Sequence, residues 1–201
     1  MTGTDLSVTV SLDTIAGPGL TALGPAEDVR GEIIAIDGKV FVSRAEGRDI
    51  STVVMPDVKA PFLAYAYVNA WDTLKVDAVI RDLNDLERLT DSLARAAGIA
   101  PDRPFPFRMR AEWDRLDFHI IMRDTSEAEH SHEAHAAAKV KFSGRKGDYD
   151  LVGFFSRRHE GVFTHKGQYI HVHAISADRS ETGHLDGISR EGKLTFLLPA
   201  K

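Results

Sequence analysis

Cysteine is absent from this 201-residue sequence. Its absence excludes disulfides and thiolate ligands, so any bound metal must use histidine, aspartate or glutamate. The sequence also has no apolar run of membrane-spanning length, and residues 1–20 lack the basic and apolar segments of a signal peptide. We therefore expect a cytoplasmic protein that is not held in a membrane.

Excess positive charge is absent as well. Lysine and arginine number 25 against 30 aspartates and glutamates, which gives a formal net charge of -5 and a pI of about 6.0. Broad binding to nucleic-acid phosphates requires a basic surface, so a nucleic-acid partner is not expected. The charge balance is compatible with an enzyme that acts on a small molecule.

The length and the apolar content predict one folded domain. Hydrophobic residues make up 43% of the chain, which is enough for a substantial core. No long linker interrupts the sequence, so we expect a single domain over residues 1–201. If it divides at all, the sub-lobes are expected at about 1–123 and 139–201.

Alternating apolar residues predict a fold built mostly from β-strands. Asp37-Gly38 separates apolar runs at 32–36 and 39–42, which is the strongest short-range signal of a hairpin. The nearly continuous apolar run at 61–68 predicts a strand buried on both faces. Further strands are predicted at 49–54, 74–80, 107–111, 118–122, 139–142, 149–155, 169–176 and 194–198.

One helix interrupts the strands. Residues 84–87 have the spacing of a capping box, with Asn84 as the N-cap. A leucine stripe then follows at helical spacing, and Gly98 is suited to end the helix. Many strands with one main helix predict an α+β, mostly β architecture.

The segment 169–176 carries the most specific pattern. Its alternating apolar residues predict a strand, and residues i and i+2 of a strand project from the same face, so His171 and His173 point the same way. Residues 178–183 are typical of a turn, which returns the chain and presents His184 to the same place. Three neutral imidazoles with an open fourth position describe a catalytic metal site, most simply for zinc.

This spacing also fits ordinary strand histidines with conventional hydrogen bonds, and both interpretations stay open at this point. A second histidine group, formed by His130, His132 and His135, lies in a biased polar segment at 125–138. The group fits a metal tract, but a surface loop or a helical turn is the more common outcome.

Two charged residues lie in predicted strands, and the alternation of side chains does not decide whether each is buried or exposed. Glu32 shares a face with Ile34 and Ile36. If that face is buried, the carboxylate needs a partner or a metal; if the strand end is exposed, it is an ordinary surface group. Arg108 alternates with apolar neighbours and lies either on a solvated face or against a carboxylate, which its guanidinium matches with two N–H groups.

Four stretches in order along the chain resemble the α-acetolactate decarboxylase family. They are residues 30–41, 59–62, 106–108 and 169–184, and the likeness extends from about residue 11 to residue 199. The last stretch is the most specific, because Asp178-Arg179-Ser180 and Gly183-His184 stand as they do in the family.

This resemblance implies a two-part β-rich fold, one zinc ion bound by three histidines, and a homodimer. The implied reaction converts 2-acetolactate, a 2-hydroxy-3-keto acid, to (R)-acetoin and carbon dioxide. Carried over by position, His171, His173 and His184 are the zinc ligands. Glu32 is the acidic residue at the metal and the proton donor or relay, and Arg108 orients the departing carboxylate. Zinc would stabilise the enediolate that remains when carbon dioxide leaves.

The chain also departs from the family pattern. Leu197 stands where the family has a C-terminal glutamate, and Gly24-Pro25-Ala26 replaces Gly-Thr-Phe. Glu181 and Glu27 are candidates for the missing acid. The predicted metal ligands are therefore complete while part of the acid–base apparatus is changed.

Two other functions are kept beside decarboxylation. The spacing of the three histidines also resembles a family of zinc-dependent ester hydrolases, in which a zinc-bound water attacks a carbonyl. A non-catalytic binding module is the third possibility, because DNA-binding protein domains of plants and prokaryotes have a similar histidine strand. The acidic charge balance counts against nucleic acid.

Overall fold

The computed structural model describes residues 7–124, 137–164 and 167–201. These residues form twelve strands, two short 3₁₀-helices at Leu12–Thr14 and Glu27–Val29, and one α-helix, α1, at Leu83–Ala96. The strands are β1 (Val10–Ser11), β2 (Leu20–Pro25), β3 (Glu32–Ile36), β4 (Lys39–Glu46), β5 (Asp49–Val54), β6 (Lys59–Ala60), β7 (Ala64–Tyr67), β8 (Trp71–Ile80), β9 (Phe105–Ile121), β10 (Lys139–Phe155), β11 (Ile170–Ser176) and β12 (Thr182–Pro199). The expected α+β, mostly β fold with one main helix is confirmed.

The first large sheet has the strand order β5-β4-β3-β2-β7 and is antiparallel throughout. The predicted hairpin forms its centre, where Ile36 pairs with Lys39. Asp37 and Gly38 have φ angles of 52° and 85°, as a tight two-residue hairpin turn requires. Every residue of β3 is buried, so both faces of this strand pack against other parts of the molecule.

The second large sheet has the strand order β11-β10-β9-β12-β8, and β11 also pairs with β12. Strands β9 to β12 therefore hydrogen-bond in a closed ring. Strands β9 and β10 each run for 17 residues, which is longer than predicted. Segment 143–148 does not separate two strands but forms irregular pairings within β10 between Phe142 and Gly147. Such bulges let a strand bend while it stays in the sheet.

The face of β3 that carries Glu32, Ile34 and Ile36 packs against the second sheet. Both isoleucines belong to an apolar cluster that joins the two sheets, together with Leu23, Phe41, Val152, Phe154 and Ile175. Full burial of one such side chain contributes about 1.5–3 kcal/mol, so this cluster holds the sheets face to face. Glu32 is only 3% exposed and lies in the same gap.

Helix α1 packs on the largest apolar cluster through Leu86 and Ala94. Asp82, and not the predicted Asn84, caps the helix: its side chain accepts a hydrogen bond from the Asp85 N–H at 2.8 Å. The capping residue lies earlier because the helix already begins at Leu83. Gly98 follows the helix end with a φ of 71°, as predicted. No helix in the described part of the chain is long and apolar enough to span a membrane.

The apolar run at 61–68 is not a strand buried on both faces. Only Ala64–Tyr67 is a strand, and it lies at the edge of the first sheet. Tyr65 and Tyr67 are 45% and 52% exposed. Tyrosine counts as apolar in a sequence pattern, but its hydroxyl tolerates water, which allows the edge position.

The two large sheets divide the described chain between Tyr67 and Trp71. The expected sub-lobes at about 1–123 and 139–201 do not follow this division, because β8 and β9 share a sheet with β10 to β12. The single domain over residues 1–201 stays a prediction. The group of His130, His132 and His135 lies outside the described residues.

Gly183 of β12 packs against β9 with no room for a side chain. A Cβ atom there would lie 2.4 Å from Phe118 Cδ2 and 2.7 Å from the His119 carbonyl oxygen. We predict that Gly183→Ala lowers the free energy of unfolding by about 1–3 kcal/mol, because the neighbours must shift. Urea denaturation measures the change. Gly17→Ala is the control, since the nearest contact of its Cβ would be 3.7 Å away; equal losses in both variants would contradict this account.

Candidate functional site

Strand β11 presents two histidines to the gap between the sheets. His171, His173 and Ile175 alternate along one face of this strand, and Ile175 packs in the apolar cluster that joins the sheets. The pairing with β10 sets His173 opposite Val152 and His171 opposite Phe154. Since directly paired residues project from the same face, both imidazoles point toward the first sheet.

The turn after β11 brings His184 to the same place. His173 pairs directly with His184 across β11 and β12, so the two side chains share a face. The first sheet holds the end of this turn, because the Thr182 N–H donates a hydrogen bond to Ser43 Oγ at 3.1 Å. Ser43 in turn pairs with Glu32 in the register of β3 and β4. The hairpin of the first sheet therefore helps to position the third histidine.

Three imidazole nitrogens converge at this point. His171 Nε2 lies 3.2 Å from His173 Nε2 and 3.1 Å from His184 Nδ1, and one ligand nitrogen of each residue lies within 4.8 Å of the others. In a tetrahedral zinc site the Zn–N distances of about 2.0–2.1 Å place ligand nitrogens roughly 3.3 Å apart. The spacing therefore fits three imidazoles around one ion, and this histidine group could hold a metal.

Burial keeps His173 in the form that binds metals. The side chain is fully buried, and desolvation lowers its pKa well below the ordinary value of 6.5; neighbouring His171 and His119 act in the same direction. A neutral imidazole offers a lone pair to a metal, whereas a protonated one does not. His173 is therefore ready to bind an ion at neutral pH.

Glu32 lies beside the histidines. Its Oε2 is 3.6 Å from His173 Nε2, and its Oε1 accepts a hydrogen bond from the Ile121 N–H at 3.2 Å. Burial raises the pKa of Glu32 well above 4.5, while the Ile121 hydrogen bond and the charge of Lys139 oppose that rise. The buried interpretation of Glu32 is therefore the one that the structure supports, and a cation at the histidines would favour the ionised form.

A cavity of about 50 Å³ opens at this group. Its polar lining comes from Glu32, His119, Lys139, Thr164, His171 and His184, and its apolar lining from Pro25, Val29, Phe62, Ile121 and Phe163. One water-sized group needs about 10–15 Å³. The cavity therefore suits an ion with a small ligand better than a large cofactor.

His119 and Asp186 were not predicted from the sequence. His119 is only 4% exposed, and its ring centroid lies 4.7 Å from that of His184. Its Nδ1 is 2.8 Å from Asp186 Oδ2, and a carboxylate in this position fixes the orientation of an imidazole. The available signals were weak: His119 alternates with Ile121 in a predicted strand, and Asp186 follows His184 by two positions.

Arg108 is buried but does not line this cavity. Its Nη1 lies 2.7 Å from Asp37 Oδ1 at the tip of the hairpin, and its guanidinium carbon lies 5.5 Å from the ring centroid of Trp71. In the sheet, Val152 stands between Arg108 and His173. Leu197 pairs directly with Arg108. The predicted role of Arg108 at a substrate carboxylate stays a prediction.

Neither proposed replacement for the missing acid reaches the cavity. Glu181 accepts a hydrogen bond from the Tyr149 hydroxyl and forms an ion pair with Arg145. Glu27 is exposed on the short helix before β3. Of the described acidic residues, Glu32 lines the cavity itself, and Asp186 reaches it through His119.

The fold and the histidine group define a mostly-β protein with a candidate metal centre. The alpha-acetolactate decarboxylase family profile matches residues 2–196. The chain therefore belongs to the alpha-acetolactate decarboxylase family, as its sequence resemblance predicted. No curated protein matches the chain.

Solved structures share the fold. The alpha-acetolactate decarboxylase from Bacillus subtilis strain 168 is 17% identical, with a TM-score of 0.78 over 98% of this chain and 80% of that one. A Staphylococcus aureus protein of unknown function, described as similar to alpha-acetolactate decarboxylase, is 14% identical with a TM-score of 0.76 over the same shares. At these identities the likeness establishes the architecture.

The first prediction for the histidine group concerns how many zinc ions each chain binds and how tightly. We expect one zinc ion per chain, with an affinity that falls more than about a hundredfold in His171→Ala, His173→Ala or His184→Ala, because each loses a direct ligand and even supporting residues affect affinity 10–100-fold. Competition with a chromogenic chelator measures the affinity. His159→Ala is the control, because His159 bonds to Ser156 outside the group; an equal loss in that variant would contradict the assignment.

The stability of the turn that presents His184 is expected to depend on pH through Asp178. Hydrogen bonds from Ser176 and Ser180 lower the pKa of Asp178 from 3.8 to about 2. The carboxylate's contribution to stability is therefore present above about pH 4 and is lost as the pH falls toward 2. We predict that Asp178→Asn is less stable than the wild type at pH 6 and that the difference shrinks at pH 3.

Urea denaturation over this pH range tests that prediction. Asp57→Asn is the control, because the Asp57 carboxylate is exposed and accepts no hydrogen bond from the described residues. A stability difference for Asp178→Asn that stays constant from pH 6 to pH 3 would show that the turn does not depend on the ionised carboxylate.

Proposed function

We propose that this chain decarboxylates 2-acetolactate, or a similar 2-hydroxy-3-keto acid, with a zinc ion held by His171, His173 and His184. The observation that carries the proposal is the convergence of three imidazoles in a chain of the alpha-acetolactate decarboxylase family. His171 Nε2 lies 3.1 Å from His184 Nδ1 and 3.2 Å from His173 Nε2, and one ligand nitrogen of each residue lies within 4.8 Å of the others. Zinc is favoured because the group offers only nitrogen donors and the chain has no thiolates.

The reaction breaks the bond between the carboxylate carbon and the carbon that carries the hydroxyl group. The electron pair of that bond stays on the remaining fragment as an enediolate. A bound zinc ion would act as a Lewis acid toward the hydroxyl and keto oxygens and so stabilise that negative charge. His171 and His173 are fixed for this purpose by the register of β10 and β11. His184 is fixed by its pairing with His173.

Glu32 is the proposed proton donor or relay. The carboxyl group lines the same cavity as His171 and His184, and it is held by the Ile121 N–H. One carboxyl group on one side of a small cavity would deliver the proton to one face of the carbon that loses carbon dioxide. This placement accounts for a product of a single handedness.

The apolar lining supports the same chemistry. Phe62, Ile121 and Phe163 line the cavity with the histidines. Apolar walls exclude water, which strengthens the electrostatic interactions inside the site. Pro25, which stands where the family has a threonine, adds to this apolar lining.

Incubation of the zinc-loaded protein with racemic 2-acetolactate tests the proposed function. We expect acetoin enriched in one enantiomer, with His171→Ala giving only the uncatalysed rate. Gas chromatography on a chiral column measures both amount and handedness. Failure of a protein with one zinc per chain to produce acetoin above the uncatalysed rate would contradict the proposal.

Glu32→Gln keeps the size of the side chain and removes the acid. We expect the rate to fall by about a hundredfold or more, which is the usual contribution of a positioned acid. Glu27→Gln is the matched control, because Glu27 lies on a neighbouring element but is exposed. A normal rate and a normal product handedness in Glu32→Gln would show that another group supplies the proton.

A further inference from the structure

Lys139 is the cationic side chain that lines the histidine cavity. The other lining residues are apolar, neutral polar, acidic or histidine. Lys139 begins β10 directly opposite Ile121 of β9, and paired residues share a face of the sheet. Ile121 also donates its N–H to Glu32, so one cross-strand pair sets both the acid and the cation at the cavity.

Lys139 is also available to a ligand. Within residues 7–124, 137–164 and 167–201, its ammonium forms no hydrogen bond and no ion pair within 4.0 Å. The side chain is half-buried, so its charge is only partly screened by water. Its charge reaches into the cavity, because it lowers the pKa of Glu32.

A second, wider concavity of about 470 Å³ also has Lys139 in its lining. The residues around it are Asp117, Phe118, Lys139, Lys141, Ser143 and Asp186. Lys139 belongs to the lining of both spaces, and Asp186 bonds to His119 of the inner cavity. Lys139 therefore lies where the lining of the histidine cavity adjoins that of the wider concavity.

Arg108 is less suited to the same task. Its Nη1 already bonds to Asp37, and Val152 stands between Arg108 and His173 in the sheet. Its guanidinium also lies over the ring of Trp71. The Nε and Nη2 of Arg108 form no hydrogen bond with the described residues, but Arg108 does not line the cavity at the histidines and Lys139 does. A substrate at the histidines would therefore meet the ammonium of Lys139 first.

We infer that Lys139 Nζ binds the carboxylate of the substrate at the mouth of the histidine cavity. This inference rests on the proposed function, since it concerns the substrate that the histidine site would take. It specifies that substrate as a small monocarboxylate whose hydroxyl and keto oxygens lie at the inner end and whose carboxylate lies toward the wider concavity. Carbon dioxide then leaves on the open side.

The chemistry predicts a particular kinetic signature. The negative charge of the carboxylate is present in the substrate and is lost as neutral carbon dioxide forms. The ammonium therefore stabilises the bound substrate at least as much as the transition state. Lys139→Met should raise KM by about tenfold or more, given the usual strength of hydrogen bonds to charged groups, and should leave kcat within about threefold.

Matched variants separate this contact from general effects. Lys139→Arg retains the positive charge and should restore KM to within about threefold of the wild type. Lys193→Met removes an exposed lysine of β12 that lines neither space, and should behave like the wild type. Arg108→Met tests whether the guanidinium of Arg108, rather than Lys139, binds the carboxylate. Zinc content and circular dichroism confirm that each variant is folded and loaded.

Direct binding gives a readout that does not depend on turnover. Isothermal titration of the zinc-loaded protein with 2-hydroxyisobutyrate probes the carboxylate, and acetoin, which lacks that group, is the neutral probe. We expect Lys139→Met to weaken 2-hydroxyisobutyrate about tenfold or more and to leave acetoin within about twofold. If the wild type binds 2-hydroxyisobutyrate but releases no acetoin from acetolactate, the proposed function fails while the binding comparison still tests Lys139.

Three results would overturn the inference. The first is equal affinity of the wild type and Lys139→Met for 2-hydroxyisobutyrate. The second is the loss of carboxylate binding in Arg108→Met with Lys139→Met unaffected, which would assign the role to Arg108. The third is a wild-type protein that binds no carboxylate probe.

Discussion

The packing of β3 against β10 and β11 is the contact on which the candidate site depends. An apolar cluster of both sheets joins them, with Ile34 and Ile36 on one side and Val152 and Ile175 on the other. The alternation of strand side chains then leaves Glu32 in the same gap, where it lies 3.6 Å from His173. Polar groups buried in such a gap are costly unless they are paired, so an apolar contact forces the acid and the imidazoles into mutual reach.

The same constraint links stability to chemistry. Three imidazoles with converging nitrogens contribute little to an apolar core, and a bound cation would compensate their desolvation. Ligand binding to the folded state alone stabilises that state by mass action, so we expect the metal-loaded protein to be more stable than the metal-free protein. The first sheet also contributes through Ser43, which holds the start of β12. The hairpin at Asp37-Gly38 is thus tied to the positions of the ligands as well as to the core.

Local patterns in the sequence predicted the parts of the fold that short-range physics determines. The two-residue turn at Asp37-Gly38 and the i, i+2 geometry of His171 and His173 follow from backbone rules that act over a few residues. The sequence did not predict the site partners that come from long-range pairing: His119 and Lys139 reach the cavity through the registers of β9 and β10. A short apolar run also carried no information about its neighbours, and so the edge position of β7 was missed.

Zinc K-edge X-ray absorption on the zinc-loaded protein tests the central claim most directly, because it reports the ligands of the ion without any assumption about the substrate. We expect three imidazole nitrogens at about 2.0–2.1 Å and one further light atom, with the imidazole multiple-scattering signal reduced to two rings in His173→Ala. A spectrum with fewer than three imidazoles in the wild type, or one unchanged by His173→Ala, would contradict the assignment of this histidine group as the metal centre.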